Sequence, residues 1–244
     1  MKNALLFVAA LAVSLLAAEG AMRAAGFVPR APHINPFFVP GTGSTWSVPD
    51  PELGWINKEG VSRAIEGDHV PMTFWSYSRR ATRPDSALAS DGRPQIMIIG
   101  GSNAQSYGVR DAESFAYLLS EHYPDLSFEN FGTGGYSTVQ AKMLAARAFD
   151  GLYGADKPRL ILLAFDDAHL LRNVADQSWV YAISDAEGRY VAPPHFRLDG
   201  GTLVFKGFTT IGYWPLERHS AALTTLHNVW LQSFAYNTAR EALP

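Results

Sequence analysis

The chain contains no cysteine. That excludes disulfide cross-links, thiolate zinc sites and iron–sulfur clusters, and it leaves the redox compartment open. A basic excess is also missing: 20 Lys and Arg stand against 23 Asp and Glu, for a formal net charge of -3. Nucleic-acid-binding proteins carry a basic footprint, so no nucleic-acid partner is expected. There is no G-x-G-x-x-G fingerprint, which ranks a flavodoxin-like nucleotide-binding reading last. Histidines and acidic residues do not cluster at metal-ligand spacing, so neither a metal nor a cofactor is expected. No internal repeat or low-complexity tract is present.

Long apolar runs are few, and each carries information. The first extends from Ala4 to Ala18, preceded by Lys2 and followed by Glu19. A positive start and an uncharged apolar core match a secretory signal or a short membrane anchor over residues 1–26. Small residues around Ala17, Ala18 and Gly20 offer weak cleavage sites, so removal and retention both stay open. Either outcome implies an extracytoplasmic location, in the periplasm or cell envelope, with anchoring through the N-terminus in the second case. Residues 27–92 then read as a Pro-rich linker and an irregular lead-in segment, because Pro29, Pro32, Pro36, Pro40, Pro49 and Pro51 disfavour helix and central strand. Asp50-Pro51-Glu52-Leu53-Gly54-Trp55 ends the linker with a turn and an aromatic anchor. Arg79, Arg80 and Arg83 form a short basic cluster, expected on the solvated surface unless it holds an anion.

The regular part spans residues 93–244. Ile96–Ile99 is a continuous apolar run that reads as a strand buried on both faces of a parallel sheet. It ends in Gly100-Gly101-Ser102. A helix around Phe115–His122 follows, with Asp111 as its expected N-cap. A strand near Leu126–Asn130 leads into Phe131-Gly132-Thr133-Gly134-Gly135-Tyr136-Ser137-Thr138. A helix to about Leu152 comes next, then the apolar strand Leu160–Phe165 and a polar turn, Asp166-Asp167-Ala168-His169. This alternation predicts an α/β doubly wound sheet, with all three turns on one edge. Turn signals at residues 184–189 and 199–201 suggest a β insertion over about 180–206. Residues 216–236 return to helical spacing, with Leu223, Leu226, Trp230 and Phe234 on one face.

Acyl transfer needs a nucleophile, a base and oxyanion donors. Ser102 sits where a strand-end nucleophile would, although an N-capping serine has the same local signature. Gly135 or Gly134 would supply a backbone N–H that a substrate can approach closely. On the third turn His169 can donate or accept a proton, whereas an ionised Asp166 only accepts.

The Ile-Ile-Gly-Gly-Ser102 block, the Asn130–Thr138 block and the polar turn after Phe165 together resemble the SGNH/GDSL hydrolase superfamily, especially its bacterial membrane-associated, envelope-facing members. The similarity covers about Asp50 to Asn173. It implies a three-layer α/β/α flavodoxin-like fold with a parallel sheet. It implies a serine esterase, acetylesterase or O-acetyltransferase acting on acyl esters or acylated glycans, with Ser102 as nucleophile and Gly135 in the oxyanion hole. Two features depart from that pattern. The third block lacks the expected asparagine donor, and Asn173 has no assignable role. The Asp-x-x-His block normally found near the C-terminus is absent after residue 180, as if the domain were cut short. The same spacing occurs once, at Asp166 and His169, and His169 is the best-placed substitute base. Asp68-His69 is a weaker one. The competing reading is a non-catalytic binding or assembly protein with an incomplete triad.

Overall fold

The computed structural model describes residues 2–29, 47–63, 70–85, 92–153, 158–176, 179–180, 183, 193–208, 214 and 216–230. His33, the Asp68-His69 pair, most of the Pro-rich stretch and the turn at 184–189 lie outside them.

Helix α1 (Lys2–Ala24) contains a 20-residue apolar stretch, Leu5–Ala24, long enough to cross a membrane, and none of it is buried. Strands β1 (Ser47–Asp50) and β2 (Gly54–Asn57) form an antiparallel hairpin closed by the Pro51-Glu52-Leu53 turn. Asp50 builds that turn by accepting the amide protons of Glu52 and Leu53 at 2.9 and 2.8 Å. Leu53 and Trp55 then enter the main core beside Met97, Phe131, Tyr136 and Leu144. The sequence reading of Trp55 as the anchor agrees with this placement.

A six-stranded mixed sheet runs in the order β3 (Gly60–Arg63), β4 (Pro71–Trp75), β5 (Arg79–Arg80), β7 (Ser127–Asn130), β6 (Gln95–Gly100), β8 (Leu160–Ala164). Only β6, β7 and β8 are parallel; β3, β4 and β5 are antiparallel. A wholly parallel sheet, as expected from sequence, is therefore corrected to a mixed one. The lead-in segment adds three strands where irregular chain was expected. They are two to five residues long, and β5 joins the sheet only by pairing with distant residues, with Arg80 opposite Asn130, so local periodicity is too brief to mark them.

The arginine cluster is corrected too. Arg79 and Arg80 are buried, and Arg83 is nearly so. Arg79 and Arg83 both grip the fully buried Glu129 of β7, at 3.0 and 2.6 Å. Trp75 lies against both guanidinium groups, at 5.3 and 5.1 Å from its ring centroid. Arg80 pairs with Asp111 at 3.1 Å and donates to the Val109 carbonyl at 2.7 Å. Burial lowers its pKa to about 10, against the opposing pull of Asp111. Asp111 itself opens a short 3-10 turn, and Ser114 caps α3 (Phe115–His122) in its place.

Strand β8 also differs from expectation. Its continuous apolar run reads as doubly buried, yet it occupies the sheet edge with Leu160 49% and Ile161 43% exposed. Helix α4 (Thr138–Ala148) is capped by a reciprocal Ser137–Gln140 box and packs Ala141, Leu144, Ala145 and Ala148 into the core. The β insertion is a two-stranded hairpin of β9 (Pro194–Asp199) and β10 (Thr202–Phe208). Ile183 is helical where a strand was expected, as are Trp179 and Val180 just before it. Residues 221–230 form a helix.

Arg147 of α4 holds the lead-in hairpin through both carboxylate oxygens of Asp50, at 2.6 and 2.9 Å. Burial pushes the Asp50 carboxyl up, but the Arg147 guanidinium and the two turn amides outweigh it and leave the pKa below the ordinary 3.8. A depressed carboxylate contributes stability above its unfolded pKa and loses it as pH falls through the folded one. Arg147→Met is therefore expected to destabilise the protein by about 1 kcal/mol at neutral pH, and to flatten the loss of stability below pH 3.8. Urea titrations across that range check both.

Candidate functional site

Strand β6 lies between β7 and β8. The chain leaves β6 to one side and later returns past it to the other, so the strand order reverses at β6. In open α/β sheets the crevice at such a reversal, beyond the carboxyl ends of the strands, is where ligands bind. Ser102 opens α2 (Ser102–Gln105) at that point. It is partly exposed, and its hydroxyl has no hydrogen-bond partner among the described residues. As the first residue of a helix its backbone N–H has no intrahelical acceptor either.

The second turn is locked to the first by buried polar groups. Asn130 donates to the Ala104 carbonyl at 2.7 Å and accepts the Gly132 amide at 2.8 Å. Thr133 donates its amide to the Gly100 carbonyl at 3.1 Å. Asn57 of β2 joins the web, accepting from Gln105 Nε2 at 2.7 Å and donating to the Gly132 carbonyl at 3.0 Å. Gly132 touches α2 so closely that a Cβ would fall 2.1 Å from the Gln105 nitrogen. Backbone cannot yield there, so Gly132→Ala is expected to cost about 3 kcal/mol or more. A drop in the urea midpoint checks it. Gly135 adopts φ +79 and lies against Trp179 and Trp55, whose rings a Cβ would meet at 2.8 and 3.2 Å. The Trp55 indole fixes this loop by donating to the Gly134 carbonyl at 2.9 Å.

The third turn leads into α5 (Ala168–Asn173). His169 is fully buried, and its Nε2 has no hydrogen-bond partner among the described residues. That nitrogen lies 3.2 Å from where a Gly101 Cβ would stand, so a side chain at the residue before Ser102 would crowd the imidazole. Nδ1 receives the Asp166 amide at 2.9 Å and lies 3.0 Å from the Asp166 carbonyl. Asp166 Oδ1 is also 3.0 Å from Nδ1 but out of line for a hydrogen bond. The other carboxylate oxygen accepts from Asn103 Nδ2 at 3.0 Å, which couples the third turn to the serine helix. Ser102, Asp166 and His169 are thus gathered at one sheet edge, with Gly135 on the loop that borders it.

No known protein family and no curated protein matches the sequence. A solved structure of a mutant of the esterase AlinE4 is similar over part of the chain. The identity is 24% and the TM-score 0.29, covering 37% of this chain and 49% of that chain, about half its length.

Sequence reasoning missed Arg172. Its Nη1 stands 3.1 Å from the same Gly101 Cβ position, and it donates to the Tyr136 carbonyl at 3.4 Å. The guanidinium lies 4.7 Å from the Trp179 ring centroid, and burial lowers its pKa, with Asp166 opposing. The i, i+3 spacing from His169 was the available signal, since it puts both side chains on one helix face. Asn103, Asn57 and Trp179 were missed as well. Asn173 acquires a role as a cap: its Oδ1 accepts from Thr138 Oγ1 at 2.8 Å and the Val139 amide at 3.2 Å. The described residues contain no group of His, Asp and Glu able to hold a metal ion.

Proposed function

We propose that this chain is a serine-dependent ester hydrolase or O-acyl(acetyl)transferase of the SGNH/GDSL type, working outside the cytoplasm on acyl esters, with acylated envelope glycans as the substrate class. One juxtaposition supports the reading: a serine hydroxyl at the topological switch point and, against the glycine that precedes it, a buried imidazole nitrogen, neither with a hydrogen-bond partner among the described residues. Ser102 Oγ attacks the acyl carbonyl, and His169 Nε2 takes its proton. The amides of Ser102 and Gly135 hold the oxyanion. Collapse of the tetrahedral intermediate expels the alcohol, which receives the proton back from His169. Water or a second alcohol then takes the acyl group by the reverse sequence. Asp166 orients His169, and Asn103 holds Asp166. Arg172 adds positive charge where the third turn has no asparagine donor.

This mechanism requires the Nδ1–H tautomer, with the proton directed to the Asp166 carbonyl or carboxylate. The Asp166 amide, aimed at Nδ1, favours the other tautomer. That contact supports the second reading, a binding or assembly protein whose histidine cannot act as a base. Fluorophosphonate labelling separates the two. Under the enzymatic reading the wild type carries the adduct on Ser102 by peptide mass spectrometry, and Ser102→Ala and His169→Gln carry none. Equal labelling of wild type and Ser102→Ala rejects catalysis by this serine.

A further inference from the structure

The last turn of α1 is fastened to the helix at residues 221–230. The Glu19 carboxylate accepts from Ser220 Oγ at 2.7 Å and from the Ala221 and Ala222 amides at 3.0 Å each. Arg23 binds Glu19 at 2.6 Å and donates to the His219 carbonyl at 3.0 Å. Glu19 follows directly on the apolar run that ends at Ala18. From Leu5 to Glu19 a helix rises only about 21 Å, against a hydrocarbon core of about 30 Å. In a retained anchor Glu19 therefore lies at or just inside the far boundary of the hydrocarbon core, where a carboxylate must be satisfied by partners. The start of the 221–230 helix supplies them.

That helix has two faces. Ala221, Thr224 and His227 are buried; His227 pairs with the buried Glu217 and stacks on Trp214 at 4.8 Å. The opposite face carries Leu226 and Val229, 55% and 57% exposed; Trp230, 49% exposed, borders it with its ring 6.0 Å from that of His227, and Leu216 just before the helix is 69% exposed. No Asp, Glu, Lys or Arg occurs from Ser220 to Trp230. Leu226 and Trp230, two of the four residues that helical spacing groups on one apolar face, are exposed, and Leu223 is half-buried.

We infer that residues 216–230 form a membrane-interfacial element whose outward Leu226, Val229 and Trp230 rest in the lipid headgroup–acyl boundary. Three observations support a bilayer as the occupant. The element is clasped to the anchor at the depth of Glu19, its outward stripe is uncharged, and that stripe holds a tryptophan, a residue enriched at membrane interfaces. The consequence for function is positional: the catalytic domain is held against the membrane surface by two contacts.

The inference rests on retention of α1 as an anchor, and the test separates the two claims. Because the chain has no cysteine, Leu226→Cys and Leu11→Cys can each carry a single NBD fluorophore in the full-length protein. Both are reconstituted in phosphatidylethanolamine–phosphatidylglycerol vesicles with a shallow doxyl lipid or aqueous iodide as quencher. The expected result is a blue shift and lipid quenching at both positions, with little iodide quenching. Lipid quenching at Leu11→Cys alone, with iodide quenching at Leu226→Cys, overturns the interfacial element and leaves the anchor standing. Protection of Leu226→Cys from both quenchers also overturns it, because protein then covers the stripe. Loss of lipid quenching at Leu11→Cys overturns the anchor and the element that depends on it.

Discussion

Ser102→Ala is expected to lower turnover of p-nitrophenyl acetate by roughly 10⁴-fold, equivalent to about 5 kcal/mol of lost transition-state stabilisation. The serine is partly exposed at the end of β6, and its hydroxyl has no hydrogen bond with a described residue. Removing one oxygen there disturbs no packing, so thermal unfolding is expected to stay unchanged. His169→Gln is expected to fall to a similar residual rate, and the double variant no lower, because nucleophile and base act as one unit. Additive losses indicate that His169 contributes through packing alone. Unchanged turnover in Ser102→Ala transfers the protein to the non-catalytic reading, in which the same crevice binds a ligand without chemistry.

Glu129→Ala carries the largest expected effect on stability, a loss of about 3–5 kcal/mol by denaturant unfolding. The carboxylate is fully buried and accepts from Arg79 at 3.0 Å and Arg83 at 2.6 Å. Without it, the two guanidinium groups that lie against Trp75 lose the buried carboxylate they share. Removing one partner of a buried ion network costs more than the net worth of the network. Replacing all three residues with apolar ones of similar size, Arg79→Met, Arg83→Leu and Glu129→Leu, is therefore expected to recover much of the loss. If the triple variant is no more stable than Glu129→Ala, the network is needed to join β5 to β7 and has more than an electrostatic role. Either way the activity of folded protein is a separate readout, since none of the three residues touches Ser102.

The two sites differ in how plainly the sequence shows them. The Ser102 turn is announced by its own neighbours: four apolar residues, two glycines, then a small polar residue. The Glu129 network is invisible locally, because an acid in a short strand and three nearby arginines read as surface. Only antiparallel pairing across the sheet brings them together.

The same division holds through the molecule. Local sequence is enough to mark the parallel strands β6, β7 and β8, the two helices that follow β6 and β7, the Trp55 anchor and the apolar N-terminal helix. These depend on periodicity, turn chemistry and caps, which act over a few residues and are written in contiguous residues. It also singled out Ser102, Gly135, Asp166 and His169 as candidates, because turns after parallel strands must share one edge. Tertiary structure alone decided which strands are antiparallel, that the arginine cluster is buried, and that β8 lies at an edge. It alone placed Arg172 and Asn103 at the crevice and clasped Glu19 to the 221–230 helix. Each of these is a contact between residues far apart in the chain, and its strength is set by desolvation and geometry at the meeting point. The group that bears most on activation of Ser102 is the Asp166 amide, 2.9 Å from His169 Nδ1. No residue type encodes the direction of a backbone proton; the turn that carries it does.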